Sequence, residues 1–317
     1  MKSLIRFTAA ACIFAAAATA HAKIERVVEK SFPVQPGGTL HVATQGGDVR
    51  VAVSADPVVK VVATEKIKAN SEAAADEILK KLKLTMELRG NDVVATAEYD
   101  GEHGLHWGSW PPVEVSFLVT VPSRYSAELR TSGGNITSAD LDGTLRARTS
   151  GGDVKLGKIS GEVEAASSGG DVSLAGGGAG VKLSTSGGDI RLDHATGPTE
   201  LKTSGGNISA GTVEGALTAR TSGGDVTAAF ASTLKGDCAL STSGGQVKVT
   251  VAPGAGFRLD AATSGGEVDA EGLTITIEHG GRGHSRLAGA VNGGGPVLRL
   301  RSSGGDIVVR TATAVAP

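Results

Sequence analysis

Three groups of residues have types and spacings that could support chemistry. The first is a column of short acids and amides, each following a glycine pair. It comprises Gly133-Gly134-Asn135, Gly151-Gly152-Asp153, Gly169-Gly170-Asp171, Gly187-Gly188-Asp189, Gly205-Gly206-Asn207 and Gly223-Gly224-Asp225. A glycine loop that cradles phosphate needs a strand before it, a helix after it and a lysine at a fixed place. No helical pattern follows any of these sites. Stacked carboxylates about 4.8 Å apart repel, and calcium could relieve them. The nine-residue GGxGxDxUx calcium repeat is absent, however, and Asn135 and Asn207 dilute the charge. The simpler expectation is a structural turn ladder. Its glycines supply positive φ, and its Asp and Asn side chains cap their own turns.

The second group lies in YDGEHGLHWGSWPP, from Tyr99 to Pro112, which holds both tryptophans of the chain. His103 and His106 with Glu102 lack a third convincing metal ligand. Trp107 and Trp110 could anchor a sugar or protein, so His103, His106, Trp107 and Trp110 are candidate partner contacts; the alternative is rings packed on their own domain. The third group is His279, Arg282, His284 and Arg286 in the segment Glu278 to Pro296, read as a polar loop or a C-terminal cap insertion. No Ser-His-Asp set, paired-acid motif or metal signature emerges, so no catalytic, cofactor-binding or metal-binding residue is assigned. Charged positions such as Arg191, Lys202 and Arg220 read as a solvated face.

The elements that position these residues follow from the spacing. The Thr or Ser opening each motif stands at 131, 149, 167, 185, 203 and 221, always 18 apart. Thr242 and Thr263 follow at intervals of 21, Ser302 after a gap of 39, and an earlier TQGGD begins at Thr44. A fixed period of this kind marks a repeat architecture. Within the frames, Val154, Val172, Ile190, Ile208 and Val226 share a column, and two residues on so do Leu156, Leu174, Leu192, Ala210 and Ala228. Upstream, Leu145, Val163, Val181, Thr199 and Leu217 align, while Arg146, Glu164, Lys182, Glu200 and Thr218 form a polar column between apolar ones. Apolar columns of period two are strands with one face buried. Each frame therefore reads strand, Ser-Gly-Gly corner, strand and a second bend near Gly143, Gly161, Gly197 or Gly215. The expected fold is all-β: a parallel β-solenoid of about 18-residue coils, each stacked directly on the one before.

Residues 23–125 lack the 18-residue frame apart from Thr44. Strand patterns near 24–34, 38–44, 48–54, 57–65, 82–89, 92–99 and 113–121, with one helix after Ser71, read as an N-terminal mainly-β cap. The expected division is 1–22 signal peptide, 23–125 cap, 126–310 solenoid and 311–317 tail. The signal peptide rests on Lys2 and Arg6, an apolar run and Ala20-His21-Ala22, with cleavage expected after Ala22. No later segment is long and apolar enough to span a bilayer. The 31 basic residues less Lys2 and Arg6 leave 29 against 33 acidic ones, a charge of −4, which argues against a nucleic-acid partner. Cys238 would be the one cysteine left after cleavage, a small buried residue rather than a nucleophile. With 47 glycines and 3% aromatics, the interior must be aliphatic.

Repeated (T/S)SGG(D/N)(V/I) strands behind a signal peptide, closing on SSGGDIVV from Ser302, resemble the bacterial "putative adhesin" family, a domain of unknown function with β-strand repeats. The resemblance covers roughly residues 125–310 well and the N-terminal region loosely. It implies an adhesin-like role and no catalytic residues. The first expectation is thus a non-enzymatic exported solenoid, an envelope scaffold or adhesin-like binder. Its partner would be an envelope protein or glycan, and its place periplasmic, secreted or at the cell surface. The alternatives are a polysaccharide-acting enzyme on a β-helix, which such short coils leave little loop to build, and a calcium-stabilised repeat.

Overall fold

The computed structural model describes residues 24–100 and 111–312. They form a β-solenoid whose two walls are a 13-stranded and a 14-stranded sheet, both mostly parallel. In spatial order, the first sheet runs Ile24–Pro33, Val58–Ile67, Val113–Pro122, Val49–Ser54, Ile136–Ser138, Val154–Ile159, Val172–Gly177, Ile190–Ala195, Ile208–Val213, Val226–Phe230, Val247–Val251, Ile307–Thr311 and Val268–Glu271. The second runs Leu82–Arg89, Asp92–Tyr99, Thr39–Thr44, Ser126–Thr131, Leu145–Arg148, Glu162–Ala166, Gly180–Ser184, Thr199–Lys202, Leu217–Arg220, Cys238–Thr242, Val297–Ser302, Phe257–Thr263, Arg286–Val291 and Ile275–Gly280.

The 18-residue period appears directly as register. Val154 pairs with Val172, and Val172 with Ile190; Leu145 pairs with Val163, and Val163 with Val181. Val154, Val172 and Ile190 point inward and are at most 1% exposed. The core between the walls is aliphatic, and each such side chain contributes about 1.5–3 kcal/mol by leaving water. Cys238 is buried within it.

At both ends the stacking departs from chain order. Near the N-terminus, Thr39–Thr44 and Val49–Ser54 form a rung directly beneath Ser126–Thr131 and Ile136–Ser138, so the corner at Thr44 belongs to the stack. Asp92–Tyr99 and Val113–Pro122 lie on its other side, although they come later in the chain. Antiparallel strands then close this cap: Leu82–Arg89 on one wall, Val58–Ile67 and Ile24–Pro33 on the other. The edge strand Ile24–Pro33 carries Glu25, Arg26, Glu29 and Lys30, charges that discourage further strand pairing. A short helix, Glu72–Leu79, is capped by Ser71, whose Oγ accepts the Ala74 amide at 3.2 Å. Arg26 holds it through Glu72 and Asp76, at 2.8 and 2.7 Å.

At the far end, the rung Val297–Ser302 and Ile307–Thr311 sits between the rung of Cys238–Thr242 and Val247–Val251 and that of Phe257–Thr263 and Val268–Glu271. The expectation that each frame stacks on its predecessor therefore fails here: the frame of Ser302 is inserted ahead of the frame of Thr263. The segment read as a polar loop is largely a hairpin. Ile275–Gly280 and Arg286–Val291 pair antiparallel and extend the second sheet past Phe257–Thr263. Period-two pairing through Leu287, Gly289 and Val291 overrides the glycine-rich composition there.

Candidate functional site

Each corner is built by two side chains that reach between rungs. The buried hydroxyl of Thr149 donates to the Gly134 carbonyl of the rung below, at 2.9 Å, and accepts the Gly152 amide of its own rung at 3.3 Å. Ser167, Thr185, Thr203 and Thr221 repeat both bonds. The acid column works the same way. Asp153 Oδ1 accepts the Asp171 amide at 2.9 Å, Asp171 Oδ1 the Asp189 amide at 2.8 Å, and Asp189 Oδ1 the Asn207 amide at 2.7 Å. Asn135 and Asn207 fill the same role for Asp153 and Asp225. These side chains therefore cap the amide 18 residues ahead, in the next rung, and not their own turn as expected. The reason is geometric, since the corner amides point along the stack.

The glycines also serve a purpose different from the one expected. Among the corner glycines only Gly47, at φ 98°, has left-handed backbone. The second glycine of each pair from Gly134 on is required by close approach, whereas the first, as at Gly133 and Gly151, has room for a Cβ. A Cβ on Gly152 would stand 2.2 Å from the Gly134 oxygen; on Gly188, 2.3 Å from that of Gly170; on Gly206, 2.0 Å from that of Gly188. Stacked corners pack backbone on backbone, and no side chain fits between. The second bend repeats the constraint: a Cβ on Gly161 would lie 2.5 Å from the Gly143 oxygen, and one on Gly215 2.4 Å from that of Gly197.

Among the described residues no three or more His, Cys, Asp or Glu side chains are grouped so as to hold a metal. His103, His106, Trp107 and Trp110 lie outside the described residues.

The chemistry that the described residues do gather is on the outer face of the second sheet. One column reads His41, Glu128, Arg146, Glu164, Lys182, Glu200, Thr218, Ala239, Arg299 and Asp260 from rung to rung. Its signs largely alternate, and neighbours bond weakly: Arg146 lies 3.9 Å from Glu128 and 3.8 Å from Glu164. The next column reads Ala43, Arg130, Arg148, Ala166, Ser184, Lys202, Arg220, Ser241, Arg301 and Ala262. It holds five cations and no acid. Arg148 binds Glu164, and Arg301 binds Asp260, in both cases diagonally across to the mixed column. The side-chain hydrogen bond from Arg148 holds the Glu164 carboxyl below its usual range, and Arg301 does the same for Asp260. Arg130, Lys202 and Arg220 are exposed and have no ion-pair partner among the described residues. A groove of about 810 Å³ runs along the mixed column, lined by Glu162, Glu164, Lys182, Pro198 and Glu200, and reaches the cation column at Lys202 and Arg220. From Arg130 to Arg301 is seven rungs, about 34 Å at strand spacing.

This column went unassigned in the sequence because its members look like scattered surface charge. The signal was nonetheless present: the residue just before the motif Thr or Ser is basic at five of ten motifs (Arg130, Arg148, Lys202, Arg220 and Arg301), Ala or Ser at the other five, and never acidic. An apolar trough of about 610 Å³ along the first sheet, lined by Ile159, Gly176 and Gly177, carries Asp140, Asp142, Lys158 and His194, a set of mixed sign.

The Toastrack DUF4097 family matches residues 38–310, and the chain belongs to it. No curated protein matches the chain. Solved structures similar to it include a "putative adhesin" from Parabacteroides distasonis, 13% identical with a TM-score of 0.42, covering 90% of this chain and 97% of that one. Another, from Parabacteroides merdae, is 10% identical with a TM-score of 0.41, covering 91% and 97%. A third, from Bacteroides fragilis, is 12% identical with a TM-score of 0.40, covering 90% and 97%.

Proposed function

We propose that this Toastrack chain is an exported, non-enzymatic binding scaffold of the bacterial envelope, and that the outer face of its second sheet takes an extended acidic glycan. The observation that carries this reading is the acid-free column of Arg130, Arg148, Lys202, Arg220 and Arg301. A straight ladder of cations about 34 Å long complements a linear polymer with anionic groups at intervals, each contact weak and the sum appreciable. The neighbouring mixed-sign column offers donors and acceptors to hydroxyl groups along the same polymer. Export is supported by the n-region, apolar run and Ala20-His21-Ala22 at the start of the sequence. No helix among the described residues is long and apolar enough to cross a membrane.

The test is binding of the chain from Lys23 onward to immobilised polyuronate and to a neutral glucan. Uronate should bind, weaken steeply between 50 and 200 mM salt, and weaken at least tenfold in Arg130→Ala/Lys202→Ala/Arg220→Ala. Equal binding to the neutral polymer, or an unchanged affinity in the triple variant, removes the proposal.

A further inference from the structure

The segment Val297–Thr311 occupies a slot whose two walls both precede it in the chain. It meets both walls with the hydroxyl-to-carbonyl bond of the repeat corners, and the far wall with the carboxylate-to-amide bond as well. Ser302 donates to the Gly245 carbonyl at 2.8 Å and accepts the Gly305 amide at 2.9 Å. Thr263, on the far wall, donates to the Gly305 carbonyl at 2.8 Å, and Asp306 Oδ1 accepts the Glu267 amide at 3.0 Å. The slot is thus complementary along its length to one rung.

Two features distinguish this rung from its neighbours. The first is its tether. Asn292, Gly293, Gly294 and Gly295 have consecutive positive φ, of 46°, 87°, 86° and 146°, and carry the chain from Arg286–Val291 across the end of Phe257–Thr263 into the slot. Such a glycine run adopts other backbone conformations at little cost. The second is a latch. Asp260 Oδ2 accepts from Arg301 at 2.6 Å and lies 3.5 Å from Arg299, while the Asp260 carbonyl accepts from Arg301 at 2.7 Å. The latch ties inserted segment to slot wall; within the regular stack the same arrangement recurs once, where Glu164 faces Arg146 and Arg148.

We propose that Val297–Thr311 is an exchangeable rung, and that the slot takes the same segment from a second copy of this chain to give a reciprocal, strand-exchanged dimer. Every contact between segment and walls is the same whether the segment comes from its own chain or a partner's; only the glycine tether changes course. An unfilled slot leaves unpaired edges on both walls, and a matching segment is what such edges pair with. The tether gives the chain's own segment an effective concentration in the millimolar range, so the monomer dominates in dilute solution and exchange appears when folding occurs among many copies.

Full chains with reversed latches test this. Asp260→Arg places a cation against its own Arg299 and Arg301; Arg299→Asp/Arg301→Asp places two acids against its own Asp260. Each slot then fits only the other's segment. Refolded together with different affinity tags, the two should give a 1:1 complex of twice the monomer mass by light scattering, melting well above either variant refolded alone. Two species that stay separate overturn the proposal. If neither variant is soluble alone, the mixture still decides, by yielding the complex or none. Differently tagged wild-type chains provide the second measurement: co-capture after joint refolding at high concentration supports exchange, and its absence opposes it. Co-capture on simply mixing folded wild-type chains also overturns the proposal, because it locates the contact on an outer surface.

Discussion

Replacing Gly188 by alanine tests the corner architecture most directly. The new Cβ would lie 2.3 Å from the Gly170 oxygen and 2.6 Å from Asp171 Oδ1, where about 3.4 Å is comfortable, so the two rungs must part locally by roughly 1 Å. Those two atoms are the acceptors of the corner: Gly170 O takes the Thr185 hydroxyl at 2.8 Å, and Asp171 Oδ1 takes the Asp189 amide at 2.8 Å. Losing two hydrogen bonds at about 1 kcal/mol each, with about 1–3 kcal/mol of overpacking, gives a destabilisation of about 3–5 kcal/mol. In a chain this long each kcal/mol lowers the midpoint by about 2 °C, so the thermal transition should fall by about 6–10 °C. The control is Gly133→Ala. Nothing lies within 4 Å of its Cβ and its φ is not left-handed, so alanine should be neutral or stabilise by about 0.4–1 kcal/mol through the unfolded chain. Gly223→Ala, at 2.9 Å from the Gly205 oxygen, should fall between the two. Circular-dichroism melts of the three variants decide. Equal losses at Gly133 and Gly188 would refute close approach and return the glycines to a role in backbone conformation.

Two further outcomes follow from the same geometry. Asp171→Asn keeps the Oδ1 acceptor that Asn135 and Asn207 already provide elsewhere in the column, so its melting point should match wild type with or without chelator; Asp171→Ala strands the Asp189 amide and should cost about 1–2 kcal/mol. A calcium-dependent midpoint in wild type that Asp171→Asn abolishes would instead support cation binding along the ladder. Glu65, 5% exposed on Val58–Ile67, has its carboxyl pushed above the ordinary 4.5 by burial, with Arg26 opposing weakly. Below 4.5 both folded and unfolded forms are protonated and burial carries no charge penalty; as pH rises, the unfolded carboxyl ionises first and stability falls. Glu65→Gln should therefore melt higher than wild type at pH 7, with the gain vanishing by pH 4, and a gain that persists at pH 4 would contradict it.

What the sequence made legible were the properties each rung possesses by itself. Period-two columns such as Val154–Leu156 and Leu145–Ala147 identify strands and their buried face, because alternation is enforced locally by the pleat. The 18-residue interval identifies stacking, because equal lengths of chain return to equal positions. The direction of the corner bonds was not legible. A carboxylate after two glycines can cap its own turn or the next rung, and only the orientation of the Asp171 and Asp189 amides along the axis selects the second. The need for glycine was misattributed for a related reason. Close approach is a property of two rungs together, and Gly188 reveals it only when Gly170 lies beneath it. The cation column was visible as the basic residue before five of the ten motifs, but its meaning depends on Arg130, Lys202 and Arg220 sharing a column without acids.

Rung order is the part that repetition conceals, and the concealment has a physical cause. Because the repeat rungs offer their neighbours the same hydroxyl and the same carbonyl, the hydroxyl bond of the corner does not fix which rung follows which. Order must then come from the connections. Where 18 residues join equivalent positions, the chain can only step to the adjacent level. Where the interval from Thr263 to Ser302 is 39, it has room for the antiparallel hairpin of Ile275–Gly280 and Arg286–Val291 and a return to a level already passed. The N-terminal end uses the same freedom, since Asp92–Tyr99 and Val113–Pro122 are laid on the far side of a rung made earlier. Irregular intervals in an otherwise strict repeat are therefore where a solenoid can fold back into itself. In this chain one of those places coincides with a glycine tether and with Asp260, the acid that faces two arginines of the inserted rung.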